Sequence, residues 1–156
     1  EMLRFLRYKS RDNARTPMQW DASPNAGFTE GEPWIMVNPN YGEINAADQI
    51  GREDSVFSFY KELVKLRKEK PVIVNGEYRL LDPESEDVFV YERSFHEEHL
   101  LVVCSFSEKE LLWRLPEEMA GQAAKRVIGN YEGQQWGPEL TLRPYEASVW
   151  EWMKGE

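Results

Sequence analysis

Apolar side chains follow three different spacings along this chain. Met2, Leu3, Phe5 and Leu6 lie close to one helical stripe with no capping residue ahead of them, so 1–9 is expected to be the end of a helix that begins earlier. From 10 to 51 neither a helical nor an alternating period appears. Asn, Pro, Gly and Asp recur there, with Trp20, Phe28, Trp34 and Tyr41 between them. A loop of that length is normally either functional or disordered. Disordered segments are poor in large aromatics, so the ordered alternative is expected here.

Helical spacing returns at 54–70, where Val56, Phe59, Tyr60, Leu63 and Leu66 form one face. Phe57 and Val64 widen that face sideways, so the helix should be covered on more than one side and left partly bare in this chain alone. Asp54 or Ser55 caps the start, Lys65, Arg67, Lys68 and Lys70 crowd the carbonyl end, and Pro71 prevents continuation. After 72–76 the period becomes two. Strands are expected at 77–81, 88–93, 100–106, 111–115, 125–129, 139–142 and 147–153, with turns at 82–83, 95–99, 107–109 and 130–138. This rhythm is that of a small antiparallel sandwich, and no internal repeat interrupts it.

Composition sets limits on the class. With 156 residues, 41% of them hydrophobic and 13% aromatic, the chain is globular, yet too short for a (β/α)8 barrel of roughly 250 residues. The net charge of −9 is uneven: residues 1–75 carry 11 basic and 11 acidic side chains, and 76–156 carry 8 and 17. Such a balance argues against nucleic acid or an anionic membrane as partner, because phosphate binding needs clustered Lys and Arg. Cys104, the single cysteine, lies in an apolar run, so an inert buried thiol and a reducing, cytoplasmic compartment are expected. No apolar run approaches the roughly 20 residues of a membrane span, and no signal-peptide pattern opens the chain.

The densest chemistry lies in Ser10-Arg11-Asp12-Asn13-Ala14-Arg15-Thr16-Pro17-Met18-Gln19-Trp20-Asp21. Arg11 and Arg15 can each grip a carboxylate or a row of hydroxyls at two points, with Asp12 and Asp21 as nearby acceptors. Pro17 stiffens the exit, and Met18 and Trp20 offer apolar anchors. On the residues alone, a structural ion-pair network and a binding loop both remain open.

The string RDNARTPMQWD, followed by Asn25-Ala26-Gly27-Phe28-Thr29, Glu32-Pro33-Trp34-Ile35, Val37-Asn38-Pro39-Asn40-Tyr41 and Glu43-Ile44-Asn45, resembles the α-glucosidases of the α-amylase superfamily (glycoside hydrolase family 13), of the oligo-1,6-glucosidase type. The similarity continues through the 54–70 helix into the last strands. It implies an α+β piece: the end of a (β/α)8 TIM barrel in 1–75, comprising the loop after strand 8 (10–51) and helix 8, then an antiparallel all-β sandwich in 76–156. The implied parent is a retaining exo-α-glucosidase acting on isomalto- or malto-oligosaccharides, with trehalose-6-phosphate hydrolase as the runner-up. The implied partners are an oligosaccharide substrate and the rest of the barrel.

Retaining hydrolysis needs two carboxylates about 5 to 5.5 Å apart. Family members carry them on earlier barrel strands, and neither Asp12 nor Asp21 matches those positions. No catalytic residue is therefore expected here, and the chain alone should be inactive. By resemblance, Arg11 reaches the glucose pocket, and Arg15 either holds the loop or lies further out in the site. No cofactor and no metal is expected: His96 and His99 in HEEH lack the spacing that sets two imidazoles around zinc on a helix, and read as a solvated turn. Trp20 and Trp34 could stack on sugar rings, with a buried scaffold role the simpler reading. Trp136, Trp150 and Trp152 could form the exposed aromatic face of a stand-alone carbohydrate-binding module, or pack against the barrel or the Phe57 helix.

Overall fold

Ser55 illustrates how the local sequence fixes the elements. Its hydroxyl accepts the Ser58 amide at 3.1 Å, and Gln49 Oε1 accepts the Phe57 amide at 3.0 Å. Two of the orphan donors of the helix start are thereby satisfied. The computed structural model describes residues 2–154. Glu1, which the stripe puts in the first helix, and Gly155 and Glu156 lie outside the described residues. The chain divides into two units, Glu1–Lys65 and Leu66–Glu156.

The first unit opens with helix α1, Met2–Lys9, whose side chains are all exposed. The stretch that follows is irregular, as its lack of period requires. It contains single 3-10 turns at Arg11–Ala14, Pro24–Gly27 and Pro39–Gly42, and one turn of α-helix, α2, Ala46–Gln49. Helix α3, Val56–Glu69, spans the boundary between the units and buries none of its residues. Most of its apolar positions stay bare, with Phe57 43% and Tyr60 67% accessible, while Phe59 and Leu66 are half-buried.

In the second unit a one-turn helix α4, Pro71–Asn75, precedes seven strands: β1 Glu77–Leu81, β2 Val88–Phe95, β3 Glu98–Ser105, β4 Leu111–Arg114, β5 Lys125–Gly129, β6 Glu139–Leu142 and β7 Ala147–Met153. A second single turn, α5, Glu117–Ala120, falls between β4 and β5. The strands form an antiparallel five-stranded sheet, β1-β2-β3-β7-β5, and a two-stranded sheet, β4-β6. Alternation selects the inner faces. Val90, Val103, Leu101 and Trp150 from the large sheet meet Trp113, Leu140 and Leu142 from the small one in a single core that Met119 of α5 completes.

Two expectations need correction. Trp150 and Trp152 share a face as alternation requires, but that face is the interior: they are 3% and 5% accessible, and Trp136 packs its ring 5.3 and 5.8 Å from theirs. They are core residues, not an exposed platform or a seam against a helix. His99 is likewise no part of a solvated turn. It lies in β3 with Nδ1 2.7 Å from the buried Glu92 carboxylate and its ring stacked on Trp152 at 5.3 Å, while only His96 and Glu97 make the hairpin tip. The buried Glu92 carboxylate also accepts from Arg79 at 2.8 Å, which closes that end of the core with a charge network.

Lys70, between α3 and α4, clamps the sheet by donating to Glu98 at 3.2 Å and to Glu151. Burial opposes both charges, yet hydrogen bonding and charge attraction across the pair hold the Lys70 ammonium above and the Glu151 carboxyl below their ordinary 10.5 and 4.5. The Glu151 contribution is therefore whole above pH 4.5 and is lost as pH falls through its lower folded value; that of Lys70 is whole below pH 10.5 and is lost as pH rises through its raised value. Lys70→Met leaves two facing carboxylates and is expected to cost about 2 kcal/mol at pH 7. Urea unfolding checks this, and the gap to wild type should narrow at pH 3.

Candidate substrate-binding loop

The loop is held by its own polar side chains, since it has little apolar surface to bury. Pro17, Ala26 and Asn45 are its buried residues. Segment 19–21 runs through the middle: the amides of Trp20 and Asp21 donate to Ala26 O at 2.9 and 3.3 Å, and the carbonyls of Gln19 and Trp20 accept from Ala46 and Ala47 at 2.9 Å each. Gln19 Nε2 donates to Asn40 Oδ1 at 3.0 Å and to Ile44 O, which ties in the turn around Pro39. Asn45 caps α2 by accepting from the Asp48 amide at 3.0 Å, and it returns Nδ2 to Tyr41 O at 3.0 Å.

The tightest bend is Asn25-Ala26-Gly27, with φ of 55°, 58° and 65°. Asn tolerates the left-handed region and Gly is indifferent to it, but Ala26 is strained there. Asn25 Nδ2 secures the bend by donating to Thr29 O at 3.2 Å and Gly31 O at 3.0 Å. A Cβ on Gly27 would meet the Asp21 carboxylate at 2.8 Å. That carboxylate accepts the Ser23 hydroxyl and the Ser23 amide, the latter at 2.8 Å, and these bonds hold Asp21 below the usual carboxylate range. Gly27→Ala is expected to open the Trp20 and Asp21 amides to hydrogen exchange by about tenfold or more, as NMR would read, because strain and clash act together.

Arg11 opens the 3-10 turn Arg11–Ala14, which Ser10 caps by accepting from the Asp12 amide at 3.3 Å. Its side chain is exposed and has no hydrogen-bond or ion-pair partner among the described residues. Arg15 instead turns back: its amide donates to Asp12 O at 3.0 Å, and Nη1 lies 3.5 Å from Asp12 Oδ1, with both side chains more than half accessible. The two guanidiniums thus differ, one exposed and unpaired among the described residues and one engaged in its own loop. Trp20 and Trp34, expected as buried scaffold, are 53% and 93% accessible in this chain. Asp12 and Asp21 are both committed to loop hydrogen bonds. Gln19, Asn25 and Asn45 are the residues whose positioning roles the sequence reading missed; asparagine at a left-handed bend and at a helix start was the available signal. Among the described residues no group of three or more His, Cys, Asp or Glu could hold a metal ion.

Two family profiles account for nearly the whole chain: "Alpha amylase, catalytic domain" over residues 1–76 and "Maltogenic Amylase, C-terminal domain" over 78–149. The chain belongs to the α-amylase family of glycoside hydrolases, family 13, and joins the end of the catalytic domain to the β-sandwich that follows it. It is 45% identical over 151 residues to an oligo-1,6-glucosidase of Bacillus cereus, covering 96% of this chain and 27% of that protein. To a trehalose-6-phosphate hydrolase of Bacillus subtilis it is 40% identical over 148 residues, covering 94% and 26%. Among solved structures, the Bacillus licheniformis trehalose-6-phosphate hydrolase matches with a TM-score of 0.90 at 40% identity, covering 97% of this chain and 28% of that one. The chain therefore spans about a quarter of the length of the curated relatives it matches.

Proposed function

We propose that these residues are the C-terminal part of a cytoplasmic, retaining exo-α-glucosidase that removes terminal glucose from short isomalto- or malto-oligosaccharides. Residues 1–75 end the catalytic barrel and 76–156 form its β-sandwich. The observation that carries the reading is the loop 10–51, which spells the glucosidase strings and is held so that Arg11 stands without a partner among the described residues while Arg15 is tied down. The identity of 45% to the Bacillus cereus oligo-1,6-glucosidase, against 40% to the Bacillus subtilis trehalose-6-phosphate hydrolase, supports the oligosaccharide substrate. In this reading Arg11 grips hydroxyls of the non-reducing glucose, Arg15 stiffens the rim, and the reacting carboxylates belong to barrel strands outside these 156 residues.

The test is to assay the full-length enzyme on isomaltose, maltotriose and trehalose 6-phosphate. Hydrolysis of the first two with release of glucose is expected, and exclusive cleavage of trehalose 6-phosphate would replace the substrate. Isothermal titration of the 156-residue chain with isomaltose should show no binding, because half a pocket lacks the enclosure that affinity needs. Micromolar affinity would instead favour a stand-alone carbohydrate-binding module.

A further inference from the structure

Asn75 is the one asparagine in the sequence that precedes glycine; the others precede alanine, proline or tyrosine. An asparagine side chain is open to attack at Cγ by the backbone nitrogen of the next residue, and glycine there removes the Cβ that hinders the approach. The sequence therefore carries one strongly labile amide. Its place is the joint between α4 and β1, where the match to the catalytic-domain profile ends at residue 76 and that to the C-terminal-domain profile begins at 78.

The fold demands that glycine. A Cβ at position 76 would collide with Val72 O and stand 3.1 Å from Ser94 O of β2. Nothing holds the Asn75 side chain, which is exposed and has no hydrogen-bond partner among the described residues. What restrains the reaction is the nitrogen. The Gly76 amide donates to Val72 O at 3.1 Å, and closing a five-membered imide requires Asn75 to leave its helical geometry. Helix α4 is a single turn, held by the fully buried Val72 and by the Arg93 guanidinium, which donates to Val74 O at 3.4 Å. One turn of helix opens far more readily than the sheet on which it lies.

We propose that Asn75 is a site of spontaneous deamidation gated by α4. When the turn opens, the Gly76 nitrogen gives up its proton and bonds to Asn75 Cγ, and the side-chain nitrogen leaves with a proton as ammonia. Water then opens the succinimide at either carbonyl, which leaves aspartate or isoaspartate at position 75. Isoaspartate adds a methylene to the backbone, for which the close fit of Gly76 against Val72 O and Ser94 O has no room. The change is thus a one-way loosening of the joint between α4 and β1.

The test is to age the full-length protein in warm, mildly alkaline buffer, folded or in guanidinium chloride, and to follow the tryptic peptide 69–79 by mass spectrometry. In the folded protein this should be the first asparagine-containing peptide to gain the mass of an amide-to-acid change, at a rate at least about tenfold below that of the denatured chain. The rate should rise with pH, because the attacking nitrogen must lose its proton. Val72→Ala, which undercuts α4, should raise the folded rate by about threefold or more and leave the denatured rate unchanged. Asn75→Ala should abolish the change. Equal folded and denatured rates would overturn the proposal, as would an unaltered Asn75, earlier conversion at another asparagine, or a folded rate indifferent to Val72→Ala. Should that variant fail to fold, hydrogen exchange in the wild type decides: the Gly76 amide should exchange at least about tenfold faster than that of Val103 in β3, and equal protection would overturn the gate.

Discussion

Glu146→Ala is expected to lower the melting temperature of the β-sandwich by roughly 12 °C or more, the equivalent of about 3 kcal/mol. Glu146 is fully buried between β6 and β7. Its carboxylate accepts the Arg143 amide at 2.9 Å and the Arg143 guanidinium at 3.0 Å through both Nε and Nη2. The same guanidinium donates to Glu132 O at 2.7 Å and lies 4.4 Å over the Tyr131 ring, so one carboxylate orients the arginine that holds the 130–138 loop. Alanine removes the acceptors, leaves a void and orphans a turn amide. Burial would raise the Glu146 carboxyl, but hydrogen bonds from Arg143 and the charges of Arg143 and Arg126 outweigh it and hold it below its ordinary 4.5. Its contribution is therefore whole above pH 4.5 and is lost as pH falls through the lower folded value. Glu146→Gln, which keeps the shape and one acceptor, should show about half the loss at pH 7 and a flatter decline in acid. A melting curve by circular dichroism that does not move for alanine would remove the role assigned to this carboxylate.

Arg11→Ala in the full-length enzyme should reduce kcat/KM on a p-nitrophenyl α-glucoside by tenfold to about a hundredfold. A charged hydrogen bond to a sugar hydroxyl in a dry pocket is worth about 1.5–3 kcal/mol, and each 1.4 kcal/mol is a factor of ten. Arg11→Lys keeps the charge but not the fork, and should recover only part of the loss. Arg15→Ala should cost no more than about threefold, since an exposed ion pair such as that with Asp12 contributes little. If Arg11→Ala leaves kcat/KM unchanged, the guanidinium has no part in holding substrate.

What the sequence made legible follows from how local each signal is. The seven strands and the 56–69 helix announce themselves through period, a serine cap and a proline stop, all within a few residues, and their ends differ from expectation by a residue or two. The α5 turn is too short to show any period. Trp150 and Trp152 were recognisable as one face, but which face turns inward depended on Trp136, a loop residue fourteen positions before Trp150, closing over them. His99 looked like turn because its neighbours are polar; its partner, Glu92, is a buried carboxylate on an otherwise apolar strand face, which alternation cannot foresee. In the loop, the identity of Arg11 and Arg15 was plain, whereas the difference between them depends on Arg15 folding back onto Asp12.

The distribution of indole rings makes the protein its own optical instrument. Trp113, Trp150 and Trp152 are sealed in the sandwich with Trp136 against them, while Trp20 and Trp34 stand in water on the loop. Light emitted from the first group should be blue-shifted and resist an aqueous quencher, and that from the second should be red-shifted and readily quenched. A single fluorescence titration can thus follow the two units separately, without a label.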